Sequence, residues 1–199
     1  MNTISAIPPI TFSGHKVHAP KVQHKYPITI TNFHRVDDTL MRGAKPTKDQ
    51  LKELKDNGVR TIISFCTNYN PTNPQPQKMP DEAEWAKQLG MKFHWLPFRS
   101  KDNPSEDYVN SFFSIINDAK AKGEKVFIHC RHGADRTGLF AALYRLQYQN
   151  VRLSDVVTEL MEYGHDATDN PNIIPYIIKF KEDQSIEKKI VKFVRNIIG

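Results

Sequence analysis

Apolar positions along this chain recur with two periods, and the switches between them mark its elements. Val59 to Cys66, Met91 to Phe98 and Lys125 to His129 are short, nearly continuous apolar runs, which predicts buried strands. Tyr26 to Phe33 alternates apolar residues with Thr and Asn, and Val36 to Arg42 reads as a second short strand. The intervening segments have helical spacing. Thr47 is the expected N-cap of a helix over Lys48 to Asn57, with Leu51 and Leu54 on one face and Gly58 as its stop. Further helices are predicted over Asp81 to Leu89 (closed by Gly90), Ser105 to Lys122 (ended by Gly123) and Thr137 to Gln149. Ser154 is expected to cap another, reaching about Tyr163, and helix resumes at Ile173. Residues 67–80, with Pro71, Pro74, Pro76 and Pro80, and residues 99–104 are loops. Strands alternating with helices predict an α/β domain whose central, mainly parallel sheet is flanked by helices on both faces. Ligands of such sheets sit at the carboxyl ends of the strands, which directs attention to the loop after His129.

A chain of 199 residues suits one domain with a substantial core. No apolar run approaches the roughly 20 residues of a membrane span. Pro8 and Pro9 interrupt the one apolar stretch near the N-terminus, so no signal peptide is expected. Residues 1–27 have no hydrophobic period and read as a flexible extension before a single domain over 28–199. Two cysteines argue for a reducing, cytoplasmic setting rather than a disulfide framework. The formal charge of +6 favours acidic partners. Nucleic acid is not expected among them, because zinc spacing, a helix-turn-helix signal and interleaved aromatic and basic positions are all missing. Anionic phosphorylated substrates explain the charge as well. The stretch Ile186 to Ile198 sets basic residues between apolar ones at helical period. Packing of its apolar face against the domain is favoured over peripheral contact with an anionic membrane.

The candidate chemistry lies in Lys125-Val126-Phe127-Ile128-His129-Cys130-Arg131-His132-Gly133-Ala134-Asp135-Arg136-Thr137-Gly138. One cysteine and one arginine stand six positions apart, between a strand and a helix. Such a loop can curl around a tetrahedral oxyanion, with backbone N–H groups and a helix N-terminus pointing inward and a guanidinium as a bidentate clamp. An unperturbed thiol is only about 3% thiolate at pH 7, and the same positive field makes Cys130 a competent nucleophile. The chemistry suggested is phosphoryl transfer to sulfur. Arg131, His132, Gly133, Ala134, Asp135, Thr137 and Gly138 are the candidate substrate-binding residues around it.

His-Cys-x5-Arg-Thr-Gly resembles the signature loop of the cysteine-dependent protein tyrosine phosphatase superfamily. The surroundings are most similar to its compact dual-specificity branch and related bacterial phosphatases, over roughly residues 35 to 180. The resemblance implies that His129 orders the loop and tunes the thiolate, that Arg136 binds the phosphoryl oxygens, and that Thr137 assists departure of the thiolate. It also implies a general acid on a loop about thirty residues upstream, a position that Asp102 fits. Asp107 is a weaker rival, since it belongs to the first turn after Ser105. The segment Arg99-Ser100-Lys101-Asp102-Asn103-Pro104 departs from the Trp-Pro-Asp of the tyrosine-specific enzymes. Asp135 is a second departure, similar to the Asp-Arg-Thr of myotubularin-like and Sac-type phosphoinositide phosphatases. It is either an alternative acid or, as favoured here, a salt-bridge partner of a nearby arginine or lysine. Arg42, in a segment resembling one that introduces the first helix of the family, is expected in a structural ion pair. His165 and Asp166 are candidates to approach the site from the later helices. By similarity to the superfamily's tumour-suppressor lipid phosphatase, Cys66 is a possible redox partner of Cys130.

The expected activity is therefore metal-independent phosphomonoester hydrolysis through a phosphocysteine intermediate, with no cofactor, on a phosphorylated protein. Phosphoinositides or inositol phosphates are the alternative substrates. Weaker alternatives are a phosphate-binding module without turnover and a thiol-dependent reductase.

Overall fold

The computed structural model describes residues 27–68 and 78–198, with side chains described as far as Ile186. The first half of the fold runs β1 (His34–Arg35), β2 (Leu40–Ala44), α1 (Lys48–Asp56), β3 (Val59–Ser64), α2 (Asp81–Gln88) and β4 (Lys92–Trp95). The second half runs α3 (Glu106–Lys122), β5 (Lys125–Cys130), α4 (Asp135–Tyr148), α5 (Leu153–Glu162) and α6 (Ile173–Ile198). The strands form one sheet in the order β1-β2-β5-β3-β4, parallel throughout except for the antiparallel pairing of β1 with β2.

β5 is the central strand, and its alternation feeds two cores. Val126, Ile128 and Cys130 join the cluster built with α3, α4, α5 and α6, whereas Phe127 joins Leu51, Leu54, Ile62 and Ala86 under α1 and α2. His129 shares the Phe127 face, its ring stacked at a centroid distance of 5.8 Å. Helix ends follow the expected chemistry at several points. Thr47 and Gln50 form a reciprocal capping box on α1, Ser105 Oγ accepts from Tyr108 N on α3, and Gly123 closes α3 in the left-handed conformation.

Three expectations are corrected. Residues 27–33 form no strand; a turn at Thr31–Asn32 intervenes, Asn32 has φ 53°, and Thr29 donates to the Glu53 carboxylate of α1. The strand expected over Val36 to Arg42 is split, because the Asp37 carboxylate accepts from Thr39 N and Leu40 N and folds the chain into a turn between β1 and β2. Helix α5 is capped at Arg152 rather than Ser154, and Arg152 pairs with Asp155 of the first turn. The expected extension over 1–27 lies, except for Pro27, outside the described residues, as do 69–77 of the proline-rich loop. The amphipathic face expected over 186–198 also lies almost wholly outside the described side chains, although the backbone there is helical. Among the described residues, no helix is long and apolar enough to cross a membrane.

The larger core is aromatic where it meets the site. Phe140 of α4 is fully buried, stacks on Phe65 at 4.2 Å, and makes edge contacts with Phe112 and Phe98 at 4.9 and 5.9 Å. Phe140→Ala is expected to destabilise the domain by about 3–5 kcal/mol through lost burial and an unfilled cavity. Urea unfolding followed by near-ultraviolet circular dichroism measures this directly.

Candidate active site

β5 ends at Cys130, which pairs in register with Ala44 of β2, while His129 pairs with Ser64 of β3. The chain then turns through residues 131–134 into α4, whose N-terminus opens onto that turn. Gly133 has φ 76°, and a Cβ there would lie 2.4 Å from the carbonyl carbon of Gly43. Only glycine lets the loop rest on the β2 backbone. Arg136, in the first turn of α4, donates from Nη1 to Phe65 O (2.8 Å) and Phe98 O (3.1 Å). Its guanidinium is thus fixed between the chain segments leaving β3 and β4. Cys130 is 2% exposed, Thr137 and Gly138 are buried, and Arg131 and His132 stand exposed on the rim.

Arg42 supports this loop from behind. Its buried guanidinium donates to Gly133 O (2.8 Å), lies over the Tyr163 ring, and faces Glu159, which pairs with Arg145 at 2.6 Å. Burial lowers its pKa to about 10, against the pull of Glu159, Tyr163 and Cys130, so it remains charged at neutral pH. The expected structural role is the one its contacts describe. Asn32 adds a second support, donating to His132 O and Tyr163 O.

On the opposite face of the sheet, His129 Nε2 lies 2.7 Å from Glu82 Oε1, and both side chains are 0% exposed. His129 Nδ1 faces Cys66 Sγ at 3.9 Å. Burial opposes charge on the imidazole, but Glu82 and Cys66 outweigh it and push its pKa up to about 9. Burial likewise raises the Cys66 thiol, while the hydrogen bond and charge of His129, with Arg136 beyond, bring it below its ordinary value. Cys66 and Cys130 are both free thiols.

Asp102 follows β4 on an exposed turn. Its carboxylate accepts from Arg99 Nε (2.7 Å) and Nη2 (2.9 Å), and these bonds hold its pKa below the usual range. The turn is tied to the start of α6 by Asn172, whose amide donates to Asp102 O and Asn103 Oδ1. Asp107 sits in the exposed first turn of α3. Asp135 corrects the expected partner: it meets His165 Nδ1 at 2.7 Å and Asp166 N at 3.1 Å, not an arginine or lysine. The connection between α5 and α6 therefore touches both the signature loop, through His165 and Asp166, and the Asp102 turn, through Asn172. Among the described residues, no three His, Cys, Asp or Glu side chains are grouped to hold a metal ion.

Glu82, Asn32 and Asn172 were not singled out from the sequence. A usable signal existed only for Glu82, which shares a helix face with the buried Ala86 four residues later.

A family model described as a DSP-PTPase phosphatase fused to NAD+ kinase matches residues 25–174. Among curated proteins, the dual specificity protein phosphatase TpbA of Pseudomonas aeruginosa is 29% identical over 139 residues, covering 70% of this chain and 57% of that relative. Inositol diphosphatase DSP2 of Oryza sativa is 27% identical over 138 residues, covering 67% of this chain and 62% of that relative. The chain thus spans less than two thirds of the length of these relatives. The crystal structure of P. aeruginosa TpbA in complex with pTyr shares the fold, with a TM-score of 0.60 at 24% identity over 77% of this chain and 90% of that chain. With the match extending from before β1 into α6 and including the whole Cys130–Arg136 loop, the chain belongs to the family of DSP-PTPase phosphatases described as fused to NAD+ kinase.

Proposed function

We propose that residues 28–199 form a cysteine-dependent phosphatase of the protein tyrosine and dual-specificity type. The observation that carries this reading is the placement of Cys130 at the end of β5 opposite an Arg136 guanidinium fixed on Phe65 O and Phe98 O, with a helix N-terminus between them. The Cys130 thiolate attacks phosphorus, and the ester P–O bond breaks as the S–P bond forms. The leaving oxygen takes a proton from Asp102, which afterwards accepts one from the water that hydrolyses the phosphocysteine. Asp102 held by Arg99 stays ionised, so delivery of a proton requires that clamp to open first. Both cysteines being free thiols supports work in a reducing, cytoplasmic compartment.

A second substrate class is supported by the exposure of Arg131 and His132 beside the loop. They suit additional phosphate groups, and one relative is named as an inositol diphosphatase.

Phosphate release from a small aryl phosphate, a phosphotyrosyl peptide and a phosphoinositide, each with EDTA present, tests the reading. EDTA-resistant release is expected, with Asp102→Asn about 10²-fold slower and its loss concentrated at acidic pH, where the wild-type carboxyl carries a proton. A comparable loss in Asp135→Asn, with Asp102→Asn unaffected, would move the acid to Asp135. Retained phosphate affinity without release from any of the three substrates would sink the enzyme reading.

A further inference from the structure

The signature loop is held from outside, one peptide at a time. Arg131 O accepts from Lys45 N just beyond β2 (3.3 Å), His132 O from Asn32 Nδ2 (3.3 Å), and Gly133 O from Arg42 Nη2 (2.8 Å). Ala134 O accepts from Gly138 N of α4 at 2.7 Å, with Arg42 Nη2 at 3.5 Å. In a trans peptide the N–H points opposite to the carbonyl of the residue before it. The N–H groups of His132, Gly133, Ala134 and Asp135 therefore turn away from these supports. Among the described residues, none of these four N–H groups donates to a protein acceptor. A row of unused donors at the N-terminus of α4 suits an oxyanion.

Two of these peptides are held by main chain, through Lys45 N and Gly138 N, so side-chain replacement does not touch them. The two that flank Gly133 are held by side chains instead. Gly133 has φ 76°, and glycine turns its flanking peptides over at little steric cost. A turned peptide would present a carbonyl oxygen to the phosphoryl group in place of an N–H. We propose that Arg42 and Asn32 are positioning residues for the phosphatase reaction. Arg42 holds the 133–134 peptide so that Ala134 N–H meets the phosphoryl oxygens, and Asn32 holds the 132–133 peptide so that Gly133 N–H does. The inference rests on the phosphatase reading above. Both supports are themselves fixed. Arg42 is 1% exposed, has the Tyr163 ring centroid 4.9 Å from its Cζ, and stands on β2, where it pairs in register with Ile128 of β5. Asn32 Nδ2 spans His132 O and Tyr163 O, while its Oδ1 faces His34 Nε2 at 3.0 Å. Glu159 lies 3.8 Å from Arg42 but 2.6 Å from Arg145, so its carboxylate belongs chiefly to Arg145. The closest partner of the Arg42 guanidinium is thus the loop carbonyl rather than a carboxylate.

The test uses the full chain with inorganic phosphate as the probe, and follows the backbone amide proton resonances of residues 132–135. In the wild type, phosphate is expected to move all of them downfield. Arg42→Met removes the donor and leaves Glu159 with Arg145; the Ala134 response should be lost while those of His132 and Asp135 persist. In Asn32→Gly, which suits the φ of 53° there, the Gly133 response should be lost instead. Each variant should bind phosphate roughly tenfold more weakly, with kcat/KM for an aryl phosphate falling at least as far. A role in stability alone would lower the unfolding temperature and leave every response in place, or weaken all of them together. Either pattern in the folded variants overturns the proposal. If Arg42→Met does not fold, Asn32→Gly decides alone, and an unchanged Gly133 response there overturns the proposal. Wild-type amides that do not respond to phosphate overturn it as well. The expected pattern in a chain that hydrolyses no phosphomonoester would sustain the positioning roles and remove the phosphatase reading.

Discussion

Replacing Cys130 with serine is expected to lower kcat/KM for an aryl phosphate by roughly 10⁴-fold or more, while phosphate remains a ligand. The thiolate supplies the step that nothing else in the site replaces. Serine fills the same space at the end of β5, but a hydroxyl stays protonated where a thiol loses its proton. The binding elements are independent of the sulfur, because Gly133 rests on β2 and Arg136 is held by main-chain oxygens. Isothermal titration with inorganic phosphate, set beside initial rates, separates the two effects. Comparable losses of binding and rate would mean that the loop itself had collapsed.

Arg136→Lys is the second large effect, with roughly 10³-fold expected in kcat/KM despite the retained charge. Arg136 Nη1 donates to both Phe65 O and Phe98 O, which leaves Nε and Nη2 to grip two oxygens of a phosphoryl group. A lysine ammonium has three protons on one atom. It can satisfy the carbonyls or approach the phosphoryl group, but it cannot present a planar fork while doing the first. Rates with an aryl phosphate and inhibition by inorganic phosphate should both weaken, the rate more than the inhibition. Equal weakening would assign Arg136 to ground-state binding only.

Much of this architecture was legible because it is local. The apolar runs, Thr47, Ser105 and Gly123 announce elements through contacts within a few residues, and the signature loop carries its chemistry in nine consecutive positions from His129 to Thr137. What escaped is long-range. Arg42 reaches Gly133 across 91 positions and Asn32 reaches His132 across 100, pairings set by strand order rather than by any period. Asp135 was expected to meet a long basic side chain, but the chain between α5 and α6 delivers His165 instead. Glu82 was hidden for a different reason: a carboxylate on a short helix ordinarily reads as a solvated face, and only its partner on β5 makes burial tolerable. The strand misread over 26–33 fails because alternation alone does not register the tight turn at Asn32.

The anchoring of Arg136 has a consequence for how such a site can vary. Its two fixed partners are carbonyl oxygens, which every amino acid carries, so the aim of the guanidinium is inherited from the path of the chain and not from the identity of residues 65 and 98. Those positions can exchange one apolar side chain for another to suit the core beneath them, and the clamp above keeps its orientation. Chemistry and packing can thus diverge separately at the same two residues.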